Sequence, residues 1–208
     1  MQLAVPPPAQ PHADQRSAEI LASVRQAFVE KGFDGASMQD LARAAGMSVG
    51  NFYRYFPSKA AIISGMITLD LAEIQRDFAM IIASPTPMQT LRQMISLRIF
   101  EQDCDKDGEL WSEIQAAARR SPELGAAAQQ MESVITGCFI DVFSTETGLS
   151  QKEAATRFSA SAAFIMVLFK SAACLNCAQG LDQKELKTLI VRTINQTLDD
   201  VTTSARKA

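Results

Sequence analysis

The sequence predicts an all-α protein. Three observations carry that prediction. No window alternates apolar and polar residues for long, so no strand is expected. Long windows repeat apolar residues at helical spacing. Between them stand glycine, proline and short polar signals that end one helix and cap the next. About nine helices fit this pattern. They group as a flexible arm over 1–13, a small N-terminal domain over 14–60, a helical domain over 61–201 and a frayed tail over 202–208.

The opening "MQLAVPPPAQPHA" has no basic start and no long apolar run, so it does not read as a secretory signal. Its prolines predict an extended arm. His12, alone within it, reads as a solvated side chain rather than a metal ligand. The first helix follows Asp14 as its cap and carries the stripe Ile20, Leu21, Val24, Ala27 and Phe28. Gly32 ends it, which lets Phe33 fold back on Phe28. Ser37 opens the second helix, with Asp40 at capping-box spacing, and Gly46 closes it. Ser48 caps the third, and Ser58 after Pro57 caps a long fourth helix to about Ser84. Ile63, Ile67, Leu71, Ile74, Phe78 and Ile81 mark its inner face, and Pro85 and Pro87 stop it. Further helices fit 88–101, 109–120, 122–145, 151–178 and 183–200. Ser150/Glu153 and Asp182/Glu185 repeat the capping spacing at the start of the last two.

Composition narrows the function. Hydrophobic residues make 47% and charged residues 21%, as in ordinary globular chains. The longest apolar run, "AAFIMVLF", is too short to span a bilayer, so no membrane span is expected. The net charge of -3 gives no global basic field, so nucleic-acid binding would need a local patch. Residues 1–60 hold six Lys/Arg against five Asp/Glu, while the remainder is acidic. Cys104, Cys138, Cys174 and Cys177 lack framework spacing, which predicts a reduced, cytoplasmic setting.

The stretch "GMSVGNFYRYFPSK" (46–59) holds both tyrosines of the chain. Two short helices joined by a tight turn fit 37–56. Small Ala42 allows a close helix crossing, and Gly46 allows a left-handed turn residue. At about 100° per residue, Val49, Phe52 and Phe56 share an inward face. Gly50, Asn51, Arg54 and Tyr55 point elsewhere, with Tyr53 at the edge. Such a face fits a DNA groove. Glycine permits close approach, asparagine pairs with adenine, and tyrosine reaches a thymine methyl or a phosphate. Lys59, with the N–H groups opening the next helix, is a candidate phosphate site. The plainer reading is a helical hairpin whose aromatics are core.

The run "SMQDLARAAGMSVGNFYRYFPSKAAI" resembles the helix-turn-helix region of TetR-type bacterial transcriptional regulators. The likeness covers roughly residues 14–65, and "ELWSEIQAAARRSPEL" is similar to the middle of many effector domains of that family. The resemblance implies a homodimer on a palindromic double-stranded DNA operator, released when a small molecule binds the C-terminal domain. It implies base contacts from Gln39, Val49, Gly50, Asn51 and Tyr53. It implies phosphate contacts from Ser37, Tyr55 and Lys59, with Ser48 capping the reading helix. Tyr55 stands where the family often has histidine, so any phosphate contact there is uncharged.

Other constellations are weaker. "DCDKDGELWSEI" (103–114) begins like a calcium loop, but Ile114 stands where the bidentate glutamate belongs, so it reads as a polar turn. "CLNC" pairs Cys174 with Cys177 as a candidate thiol switch, without a second Cys/His pair to make a metal site; buried free thiols are the plainer reading. Met94, Phe100, Trp111, Ile114 and Met131 are candidate lining for an effector cavity or simple core, with Glu113 a candidate polar anchor. Phe164, Ile165, Val167, Leu168 and Phe169 crowd one helix, and Leu186, Leu189, Ile190, Ile194 and Leu198 stripe the last. Phe164, Leu168, Leu186, Ile190 and Ile194 are therefore expected at a dimeric four-helix seam. A helical enzyme or carrier is the rival class. It would need a nucleophile–base pair or metal cluster, and none is legible. No cofactor is expected.

Overall fold

The computed structural model describes residues 11–101, 111–112, 114–173 and 182–206. Among them every regular element is a helix. The chain forms two compact units, Met1–Leu69 and Asp70–Ala208.

The first unit is built by α1 (Pro11–Gly35), α2 (Met38–Ala44), α3 (Val49–Tyr55) and the first turns of α4 (Lys59–Ala83). Helix α1 starts at Pro11, before the expected cap Asp14, and breaks at Gly32, whose φ is 69°. That break returns Phe33 onto Phe28, with ring centroids 6.1 Å apart and near parallel. Ser37 and Asp40 form the expected capping box at the start of α2. A Schellman turn ends α2: Met47 N–H donates to Ala42 O and Gly46 N–H to Arg43 O, with Gly46 at φ 65°. The core comprises Ile20, Leu21, Val24, Phe28, Leu41, Ala42, Phe52 and Phe56, joined by Ile62, Ile63 and Met66 of α4. A Cβ on Gly65 would meet Leu21 Cδ1 at 3.1 Å and Phe56 Cε1 at 3.4 Å, so the glycine lets α4 lie close to the core. This packing carries the unit past the expected 60/61 boundary.

The second unit holds the rest of α4, α5 (Pro87–Glu101), α6 (residues 111–118, with 113 outside the described residues), α7 (Pro122–Thr147), α8 (Gln151–Ala173) and α9 (Gln183–Arg206). Its core stacks Phe78 on Phe139 edge to face at 5.0 Å, and Phe143 on Phe158 likewise at 6.1 Å. Arg92 fastens α5 to α9 through Asn195 O at 2.8 Å and Asp199 Oδ1 at 2.7 Å. Arg98 pairs with Asp77 across α5 and α4 at 2.6 Å. The capping spacings at Ser150/Glu153 and Asp182/Glu185 are realised as hydrogen bonds.

The expected fraying from 202 is not found at 202–206. The apolar stripe of α9 continues through Leu198 to buried Val201, and Arg157 donates to Ser204 O at 3.3 Å, which keeps the last turns helical.

Candidate functional site

Helices α2 and α3 form the candidate site. Their seven-residue lengths give little independent stability, so caps and packing hold them. Ser48 Oγ accepts from Asn51 N–H at 3.4 Å at the start of α3. Phe52 is fully buried and Phe56 nearly so, and their rings meet at 6.0 Å. They press one side of α3 into the core and leave the other to solvent.

That outer side carries Gly50, Asn51, Arg54 and Tyr55, all exposed, with Tyr53 at 47%. Val49 departs from the expected inward face and is 36% exposed. It is the first residue of α3, and its side chain lies beyond the core edge that Phe52 reaches one turn later. Gln39 and Ser37 are exposed on α2. No Cβ at Gly50 would meet anything within 4 Å, so its outer face is open.

Ser37 is less free than the sequence implies. Its hydroxyl donates to Asp40 Oδ2 at 2.5 Å and accepts from Asp40 N–H. Asp40 also takes Lys31 Nζ on Oδ1 at 2.6 Å, and these bonds hold its carboxyl well below the usual carboxylate range. Lys59 is committed too. Its ammonium donates to Phe33 O at 2.6 Å and Asp34 O at 3.2 Å, and lies 4.9 Å from the Phe33 ring centroid. No spacing rule pointed to that link, because its partners lie 25 and 26 residues away.

In the second unit, Ile114 and Met131 are buried, Met94 packs against the core, and Trp111 is half-buried with Lys170 Nζ 5.8 Å from its ring centroid. Phe100 is exposed. Lys170 also ion-pairs with Glu132. The side-chain nitrogen of Gln115 is buried without a hydrogen-bond partner among the described residues, a feature sequence periodicity cannot reveal. Of the expected seam, Ile190 and Ile194 are buried inside the chain's own core, and Leu168 and Leu186 pack partly against it. The inward stripe of α9 is taken up by the bundle, which covers both isoleucines within the chain itself. Phe164 stays 45% exposed, one turn from Val167 at 57% on α8, and Leu189 on α9 is exposed too. The calcium-like segment at 103–110, Glu113 and the Cys174/Cys177 pair lie outside the described residues. Cys138 is a buried free thiol whose pKa burial pushes up. Among the described residues no group of three metal-ligating side chains gathers, and no helix is long and apolar enough to cross a membrane.

Comparison with known proteins agrees with this geometry. Residues 20–66 match the family described as bacterial regulatory proteins, tetR family. The HTH-type transcriptional regulator EthR of Mycolicibacterium smegmatis is 44% identical over 59 residues, 28% of this chain and 27% of that protein. EthR of Mycobacterium tuberculosis is 35% identical over 85 residues, 41% of this chain and 38% of that one. The chain thus matches well under half the length of these curated relatives. Among solved structures, Salmonella enterica GusR is 20% identical with a TM-score of 0.66, covering 92% of this chain and 98% of its own. A TetR transcription regulator from Haloarcula marismortui is 14% identical with a TM-score of 0.69, covering 89% and 97%. At those identities the structures show the fold alone. The capped α2–α3 pair lies within the stretch that matches the tetR family, and the chain shares the fold of solved TetR-type regulators.

Proposed function

We propose that this chain is a cytoplasmic transcriptional repressor that binds a palindromic operator as a homodimer and leaves it when a small molecule binds the second unit. The single observation that carries the reading is the division of α3. Phe52 and Phe56 anchor one side, while Gly50, Asn51, Tyr53 and Tyr55 stand free on the other. A helix so anchored presents base-reading and phosphate-binding groups to a major groove without rearranging its core. Gln39 and Val49, both exposed, extend that surface.

A homodimer is supported by the exposed apolar pair Phe164 and Val167 on α8, with Leu189 exposed on α9. In a symmetric pair two copies of α3 would meet successive major grooves, which accounts for the palindrome. Release by ligand is supported by adaptable methionines inside the second unit, with Met131 buried and Met94 packed against the core, and by the half-buried indole of Trp111. A ligand acts there only by binding the two states with different affinity.

The test is selection from random duplex DNA with the purified chain, then titration of the winner at several salt concentrations. A palindromic winner, with affinity falling steeply with salt and falling again in Tyr53→Ala, supports the reading. Equal weak binding to all duplexes would overturn it.

A further inference from the structure

We propose that Lys59 is a positioning residue. It locks the two ends of the reading unit together and acts on DNA binding through that lock rather than through a phosphate. Its ammonium reaches back from the first turn of α4 to the carbonyls of Phe33 and Asp34, at 2.6 and 3.2 Å. Those carbonyls lie just past the Gly32 break, at the end of α1. Everything that would meet DNA, from Ser37 to Tyr55, lies between the two anchor points. The clamp therefore closes the loop that contains the whole of α2, the turn and α3.

Three features favour a clamp. A cation at the start of α4 is opposed by that helix's dipole, whereas beside the terminal carbonyls of α1 it is favoured. The Phe33 ring, 4.9 Å from the ammonium and stacked on buried Phe28, holds the charge on its other side. The amides that would join Lys59 in gripping a phosphate are partly used. Ala61 N–H donates to Ser58 Oγ at 3.1 Å and Ile62 N–H to Ser58 O at 3.2 Å. A second tether acts at the same corner, where Lys31 of α1 reaches Asp40 of α2. The end of α1 is thus held both to the start of α2 and to the start of α4, which fixes the segment from which α2 and α3 project.

The test uses the full chain with Lys59→Met, Phe33→Leu and the double variant. The clamp predicts that Lys59→Met lowers Tm by about 3 °C or more. It predicts that the two substitutions are not additive, because they share one contact. It predicts faster hydrogen exchange at the Ala36 amide, which donates to Gly32 O in the same corner. Affinity for the selected operator falls, while the slope of log K against log salt stays within half a unit of wild type. A lost phosphate contact in each copy of a dimer would instead shallow that slope by about 1.8 and leave Tm unchanged. Either that slope change or an unmoved Tm overturns the proposal. If Lys59→Met does not fold, Lys59→Arg decides. A guanidinium grips phosphate as well as an ammonium does, but its larger, planar fork cannot take the compact ammonium's place 2.6 and 3.2 Å from the two carbonyls without moving them. The clamp then requires a lowered Tm, and unchanged Tm with full affinity overturns it. The DNA arm rests on the proposed function. If wild type selects no operator, that function fails while the Tm, additivity and exchange arms still decide the clamp.

Discussion

Lys31 and Asp40 meet at 2.6 Å across the α1–α2 corner, while the other carboxylate oxygen of Asp40 takes both the N–H and the O–H of Ser37. One side chain thus joins two helices and caps the second. Hydrogen bonds from Lys31 and Ser37 lower its pKa in the folded chain. A depressed carboxylate pKa contributes stability above the unfolded value of about 3.9, and the contribution is lost as pH falls through the folded value. Asp40→Asn is therefore expected to lower Tm at neutral pH. The gap to wild type should narrow only below about pH 4. Thermal melts of both proteins from neutral to strongly acidic buffer check this; a gap that closes near neutrality would contradict it.

Phe52 and Tyr53 are adjacent, but the first is buried and the second half-exposed, so their truncations should separate stability from recognition. Phe52→Ala removes a fully buried ring and should cost about 3–5 kcal/mol in denaturant unfolding. Tyr53→Ala should stay within about 0.5 kcal/mol of wild type while weakening operator binding. Chemical denaturation and anisotropy on the same samples measure both.

Gly46 has φ 65° and open space where a Cβ would stand. Strain alone should therefore set the cost of substitution. Gly46→Ala is expected to cost about 1 kcal/mol and Gly46→Val more, with Gly46→Asn the mildest of the three. Equal melts for the three would show that the turn relaxes out of the left-handed region.

Gln115 buries a donor that no described residue accepts. Leucine has nearly the same volume and no polar atoms to desolvate. Gln115→Leu is expected to stabilise the chain by about 1–3 kcal/mol in urea unfolding. Destabilisation would mean that the amide is satisfied in solution, for instance by a buried water.

The exposed pair on α8 should govern association. Phe164→Asp with Val167→Asp places two charges on an apolar surface that a symmetric seam would have to desolvate. A wild-type dimer that becomes monomeric in light scattering, with unchanged helicity by circular dichroism, is the expected outcome. An unaltered dimer would place the seam elsewhere.

Much of the fold was legible because short-range chemistry sets it. The capping residues Ser37, Ser48, Ser150 and Asp182 act within three residues of themselves. Gly32 breaks α1 and Gly46 follows the end of α2 for the backbone reason their residue type suggests. What misled were features decided by packing. Helical spacing alone put Val49 inward, although a seven-residue helix has little length to bury. Helical spacing also marked Ile190 and Ile194 as apolar without revealing that their own chain covers them. The domain boundary was expected at 60/61, whereas the compact unit runs on to Leu69, with Gly65 letting that helix lie close to the core. Lys59 looked free because its partners are distant in sequence.

The distribution of aromatic residues has a practical consequence. Both tyrosines stand on α3, and the single tryptophan, Trp111, stands on α6 in the second unit beside Lys170. Excitation at the red edge of protein absorbance therefore reports on the second unit alone. A ligand that repacks the neighbourhood of Trp111 should displace the Lys170 ammonium from the indole and shift its emission colour. Tyrosine emission comes only from the reading helix and should respond when DNA covers it. The chain thus carries two native optical probes, one in each unit, and the order in which they change after mixing with ligand would time the signal without any label.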